Sequence, residues 1–238
     1  MTSQYFKNSY KVFNPSLLSE ASPNKEEAVI VIGNTSNIKA VALPENELRR
    51  AAAITHHSSR DRYLAGRYLV RGILSQWLAM KPEDITIALS DLGKPFLPHH
   101  HFHFSISHTE QAVAAVFSIQ SSGIDLEQER TLDALALARR FFSPEEADFL
   151  SQTQSLPEFF RLWCCREAAI KGDGRGLGGL LNATRPILPA SDDCVQVFVG
   201  GVEWNVFPWL MKGGIHGAAA FQTLPSVIRW CDLADPLG

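Results

Sequence analysis

VAAVFSIQSSGIDLE, residues 113–127, contains two strands of different character joined by a polar turn, and its division sets the architecture of the whole chain. Residues 113–119 are an apolar run of strand length, which suits a strand buried on both faces. Residues 120–123 supply the turn. In GIDLE, residues 123–127, side chains two apart share a face of an extended segment. Ile124 and Leu126 therefore point into a core, while Asp125 and Glu127 present two carboxylates on the opposite side. One half of the chain closes here and another opens, which gives an N-terminal half over 1–121 and a C-terminal half over 122–238.

Upstream, AVIVI at 28–32 is a second unbroken apolar run and predicts a buried strand. Pro44 can open a short helix at its first turn, and Arg49 and Arg50 fall where cations favour a helix C-terminus. Ser58 or Ser59 can cap a longer helix running to about Trp77. Tyr63, Gly66, Val70, Leu74 and Trp77 repeat at helical spacing on its core face. Arg60, Arg67 and Arg71 lie in a narrow sector beside that face and predict a basic ridge. DLGKPFLP at 91–98 reads as a turn into an extended segment, and HFHFSIS at 101–107 alternates like a strand. The histidines at 99–101 and 103 read as an exposed loop, because adjacent residues of an extended chain cannot all face one metal.

Downstream, residues 130–140 predict a helix ending near Phe141. Ser143 caps the next, with Pro144 at its first position and Glu146 placed for a capping box. A third helix follows Pro157 through FFRLWCCREAAIKGDG, residues 159–174, and Gly172 marks its termination. Residues 194–199, 202–207, 216–221 and 227–233 alternate and predict one antiparallel set of strands. The pattern is α+β, repeated loosely in each half.

The bulk properties narrow the function classes. Of 238 residues 45% are hydrophobic and 20% charged, the profile of a folded soluble protein. A net charge of −3 argues against a duplex nucleic-acid binder, which would carry a basic excess. No stretch approaches the roughly 20 apolar residues of a membrane span, and the N-terminus lacks a signal-peptide core. The four cysteines, two of them adjacent at 164 and 165, form neither a C-x-x-C pair nor a small-domain disulfide framework, and fit a reducing cytoplasm.

Two segments carry candidate chemistry. Asp125 and Glu127 are hard oxygen donors of the kind Mg²⁺ takes, although D-x-E alone favours the solvated end of a strand. Glu167 and Lys171 stand one helical turn apart along the edge of the stripe formed by Phe159, Trp163 and Ile170. In isolation they read as an ordinary surface pair contributing about 0.2–0.5 kcal/mol. GDGRGLGG at 172–179 contains a formal G-x-G-x-x-G, but it follows a helix where a dinucleotide fingerprint follows a strand.

Taken in order, GKP (93–95), FSISH (104–108), GIDLE (123–127), FFSPEE (141–146) and WCCREAAIK (163–171) resemble the 4′-phosphopantetheinyl transferases of the longer, monomeric type. RDRYLAGRYLVR at 60–71 is similar to that family's N-terminal helix, and the resemblance spans about 45–180. It implies two similar α+β halves related by a pseudo-twofold axis, with coenzyme A and Mg²⁺, or Mn²⁺ in its place, in the cleft between them. The implied reaction is attack by a serine of an apo acyl or peptidyl carrier protein on the β-phosphate of coenzyme A. 4′-Phosphopantetheine moves to the serine and adenosine 3′,5′-bisphosphate leaves.

By that resemblance Asp125, Glu127 and Glu167 gather round the metal, and Glu167 is also the candidate base. Lys171 sits on the phosphates, and Arg50, Lys94, Ser107, His108 and Asp125 contact coenzyme A, with Arg50 toward its 3′-phosphate. Glu146 matches a position near the site and equally completes its capping box. Three residues depart from the family pattern: Arg166 stands for Lys, Ser105 for Asn, and Cys164 for Ser or Thr. None removes a metal ligand or the lysine. The basic ridge is one candidate surface for an acidic carrier. Two rivals remain: a catalytically silent carrier-binding homologue, against which the four intact residues argue, and a Mg²⁺-dependent nuclease, against which the net charge and the GKP and Ser-His segments argue.

Overall fold

The apolar run at 28–32 is buried throughout because its strand is covered on both faces. In the computed structural model, which describes residues 10–13, 22–176 and 194–233, alternate residues of this strand feed two separate cores. Val29 and Val31 join one, while Ala28, Ile30 and Ile32 join the other. The strands are β1 (Tyr10–Phe13), β2 (Glu27–Asn34), β3 (Ala88–Leu89), β4 (Pro95–Phe96), β5 (His103–His108), β6 (Ala112–Ser118), β7 (Ser122–Gln128), β8 (Val195–Val199), β9 (Val202–Met211), β10 (Ile215–Phe221) and β11 (Val227–Asp232). The helices are α1 (Glu45–Ala53), α2 (His57–Leu78), α3 (Ala134–Phe141), α4 (Pro144–Thr153) and α5 (Leu156–Asp173).

The strands make two main sheets, one ordered β1-β11-β2-β6-β5 and one ordered β7-β10-β9-β8, with β3 and β4 as a separate hairpin. α2 packs Leu69, Val70, Ile73 and Leu74 against the outer face of the first sheet. α5 packs Phe159, Leu162, Ala169 and Ile170 against the outer face of the second. Between the sheets, Ile30 and Val116 meet Ile124, Leu126, Phe207 and Ala219. The result is a helix, sheet, sheet, helix stack of two α+β halves, in which β2, β6 and β10 alternate their side chains between two buried surfaces.

Several local readings hold and several change. The capping box of α4 forms, with Glu146 N–H donating to Ser143 Oγ and Ser143 N–H to Glu146 Oε2. Residues 227–233 do not extend the second sheet. β11 returns to the first, parallel to both β1 and β2. Alternation fixes which face a strand buries but not which sheet takes it. Gly172 does not end α5: Gly174 does, at φ 90°, with its N–H on Ile170 O, while Gly172 packs against Trp204. The glycine run beyond 176 lies outside the described residues.

The basic ridge is also corrected. Arg71 is 1% exposed, and its guanidinium donates to both carboxylate oxygens of Glu47 on α1 and to the carbonyls of Pro82 and Ile85. Arg67 lies 3.6 Å from the same carboxylate. Burying a guanidinium requires this saturation of its donors. The second half has a buried ion pair of its own, with Arg166 of α5 bonded to Glu146 of α4 and its guanidinium carbon 5.2 Å from the Phe142 ring centre. Arg166 therefore has a structural partner, and Glu146 is committed to its cap and to this ion pair.

Two contacts fix the position of β7, one to the first half and one to α5. β5 and β7 are edge strands of different sheets, joined by side chains in place of a backbone ladder. Ile124 N–H donates to Ser105 Oγ at 3.3 Å and Leu126 N–H to Ser107 Oγ at 3.0 Å. On the other side of β7, a Cβ built at Gly123 would lie 2.0 Å from the Ala168 carbonyl oxygen and 2.3 Å from Gly172 N. Only a glycine lets α5 come this near the strand.

Candidate active site

β7 sends Ile124 and Leu126 into the core between the sheets, so Asp125 and Glu127 face the other way, toward α5. The close approach at Gly123 brings the last turns of α5 over them. Lys171 Nζ donates to Asp125 Oδ1 at 2.6 Å and to Ser107 Oγ at 2.9 Å. Ser107 Oγ in turn donates to Asp125 Oδ1 at 2.9 Å. Asp125 is 3% exposed, and its second oxygen, Oδ2, is buried with no hydrogen-bond partner among the described residues. A buried carboxylate oxygen left without a donor is costly, so a cationic ligand is the group this position suits.

Glu127 lies at the edge of the arrangement, where Arg130 Nη1 donates to its Oε2 at 2.7 Å. Burial raises its pKa above the ordinary glutamate value, against the lowering by Arg130. Glu167 shares the helix face with Lys171. Burial first, then the charges of Asp125 and Glu127, push its carboxyl up to about 7, with Lys171 opposing. Burial works against the charge of Lys171, yet Asp125 and Glu167 outweigh it and hold the ammonium above the usual lysine value. Among the described residues no three His, Cys, Asp or Glu side chains converge closely enough to enclose an ion. The three carboxylates lie near one another, with Asp125 and Glu127 tied to Lys171 and Arg130.

Of this cluster, Glu167 and Lys171 line a cleft of about 380 Å³, and Tyr63, Arg67, Lys94 and His108 line it from the first half. Lys94 reaches over from the turn of the β3–β4 hairpin to donate to the Gly172 carbonyl at the end of α5. Burial lowers its amine to about 8, with Asp173 opposing. His108 is lowered from the ordinary imidazole value by burial ahead of Lys171 and Arg62. Arg50 stands back from the cleft, its guanidinium carbon 5.7 Å from the Tyr63 ring centre, while that of Arg67 lies 5.2 Å from the same ring.

Of the residues singled out from sequence, Ser107, Asp125 and Lys171 are in mutual contact and Lys94, His108 and Glu167 line the same cleft. Glu127 adjoins it, and Arg50 reaches it through Tyr63. Helical periodicity placed Tyr63 on the core face, but it is a cleft wall between two guanidiniums. Arg130 is the partner of Glu127, and its place three residues on is the one signal of this in the sequence.

Both halves of the chain are similar to known proteins. Residues 121–199 match the 4′-phosphopantetheinyl transferase superfamily, and residues 34–120 match the family described as 4′-phosphopantetheinyl transferase, N-terminal. The chain is 34% identical over 201 residues to the 4′-phosphopantetheinyl transferase HetI of Nostoc sp., covering 71% of this chain and 84% of that one. It is 35% identical over 126 residues to Sfp of Bacillus subtilis, covering 51% of this chain and 56% of that one. A 4′-phosphopantetheinyl transferase of Bacillus pumilus is 38% identical over 143 residues, or 57% of this chain and 61% of that one. The matches to Sfp and to the Bacillus pumilus protein thus span less than two thirds of those relatives. With the HetI relationship extending over most of both chains and the two family matches meeting at residue 120, the chain belongs to the 4′-phosphopantetheinyl transferase superfamily.

Proposed function

We propose that this protein transfers 4′-phosphopantetheine from coenzyme A to a serine of an apo acyl or peptidyl carrier protein, acting as a monomer and releasing adenosine 3′,5′-bisphosphate. The observation that carries the reading is Asp125. One of its oxygens is tied to Ser107 and to Lys171, which lines a cleft built from both halves of one chain, and the other is buried with no hydrogen-bond partner among the described residues. That donor set fits a hard divalent cation, and Asp125, Glu127 and Glu167 are the side chains that would hold Mg²⁺ or Mn²⁺. When bound, such an ion neutralises charge on the pyrophosphate oxygens.

The chain's own residues supply the rest. Lys171 places an ammonium beside the cluster, where it offsets charge on the leaving phosphate. Lys94, His108 and Arg67 line the cleft with groups suited to phosphate oxygens, and Arg50, set back beside Tyr63, is the group assigned to the 3′-phosphate. Glu167 makes no hydrogen bond to a described residue and is the carboxylate available to take the proton of the incoming serine hydroxyl. As that proton leaves, the serine oxygen bonds to the β-phosphorus and the bond from that phosphorus to the bridging oxygen breaks. Adenosine 3′,5′-bisphosphate carries the electron pair away.

The test mixes the purified protein with coenzyme A, Mg²⁺ and several apo carrier proteins and reads intact mass. One phosphopantetheine per carrier is expected, and omission of the divalent ion should abolish the gain. Carriers that keep their mass while a control transferase modifies them would overturn the reading.

A further inference from the structure

By family resemblance Ser107 is a coenzyme A contact, yet its hydroxyl has no capacity left for a ligand. It donates its O–H to Asp125 Oδ1 at 2.9 Å and accepts from Leu126 N–H at 3.0 Å and from Lys171 Nζ at 2.9 Å. A hydroxyl offers one donor and two acceptor positions, so all are filled. The residue is also buried, at 6% exposure, behind the cleft surface that its neighbour His108 lines.

We infer that Ser107 is a positioning residue for Asp125. It fixes Oδ1 to the backbone of β7 and to Lys171, which leaves Oδ2 as the single oxygen of that carboxylate free for a cation. The inference rests on the reading that Asp125 binds the divalent ion. Its physical basis is that a carboxylate with both oxygens free to rotate loses ordering entropy on binding, whereas one already held by two donors does not. Ser105 is the internal comparison. It makes the same kind of bond across the seam, accepting from Ile124 N–H at 3.3 Å, with no bond to Asp125.

Three variants separate positioning from direct contact and from a loosened seam. Mn²⁺ affinity is followed by the paramagnetic resonance of the free ion, with coenzyme A present and no carrier, and coenzyme A affinity by calorimetry without divalent ions. Ser107→Ala should weaken Mn²⁺ binding about tenfold, the effect of losing one hydrogen bond to a charged group, with metal-free coenzyme A affinity as in the parent. Ser107→Thr, which keeps the hydroxyl, should recover most of the loss, and Ser105→Ala should retain parental Mn²⁺ affinity. Weakened metal-free coenzyme A binding in Ser107→Ala would restore the direct contact and overturn the inference. Parental Mn²⁺ affinity in that variant, or an equal loss in Ser105→Ala, would overturn it as well. A parent protein that binds no Mn²⁺ at all would refute the metal assignment itself, a result seen before any variant is made.

Discussion

Glu167 and Lys171 have the spacing of a surface ion pair, but each is committed elsewhere: Lys171 to Asp125 and Ser107, Glu167 to a cleft wall where burial, and then neighbouring carboxylates, keep its proton affinity high. A glutamate that keeps its proton to about neutral pH is also a competent acceptor, since proton transfer is most efficient near the operating pH. Glu167→Gln should lower kcat by about 10²–10⁴, while coenzyme A still binds in calorimetry; near-parental kcat would exclude an essential base. Lys94 gives a pH dependence of definite sign. Its amine is held down to about 8, so the charge it offers a phosphate is present below that pH and lost above it. The KM for coenzyme A should rise as pH passes about 8, and Lys94→Met should remove that limb of the profile, leaving KM raised about tenfold throughout. Stability moves oppositely. Between about 8 and the unfolded value of 10.5 the unfolded chain binds the extra proton, so the contribution of Lys94 to stability increases with pH across that window.

At the scale of elements, α5 is placed by what is missing from two glycines. Gly123 admits the helix backbone to β7, and Gly172 admits Trp204 to the helix. A methyl at 123 would meet backbone atoms on both Ala168 and Gly172, which no rotamer change relieves. Gly123→Ala should destabilise by about 3 kcal/mol, the upper part of the range for overpacking, measured by urea unfolding, and should depress activity by lifting Lys171 away from Asp125. The buried ion pairs clamp short helix to long helix in each half. Arg166→Met leaves the Glu146 carboxylate buried without its cation and should cost about 3–5 kcal/mol. The double variant Arg166→Met with Glu146→Gln should regain part of that loss, because no uncompensated charge then remains; an equal or larger loss would contradict the ion-pair account.

For the whole molecule, β11 matters most, because the last strand of the chain lies between β1 and β2 at the other end of the sequence. The first sheet is therefore incomplete without residues from beyond 226, and its inner face is exposed without the second sheet. A fragment of residues 1–121 should lack near-ultraviolet dichroism alone and gain it on mixing with residues 122–238; independent folding of the first fragment would contradict this. By itself the sequence determined what depends on local patterning or on an ordered set of motifs. The double burial of residues 28–32 and 113–119, the capping box at Ser143, the opposed faces of GIDLE and the pairing of Asp125 with the Glu167 and Lys171 helix all follow from periodicity, local hydrogen bonding or an ordered set of motifs. Only the tertiary structure decided that β11 crosses to the first sheet, that Arg71 and Arg166 are buried ion-pair partners, and that the Ser107 hydroxyl belongs to Asp125. Each of these is a contact between residues at least 18 positions apart. A guanidinium or a hydroxyl shows in sequence that it needs partners, but which partners it finds is fixed by how the two sheets and their helices stack.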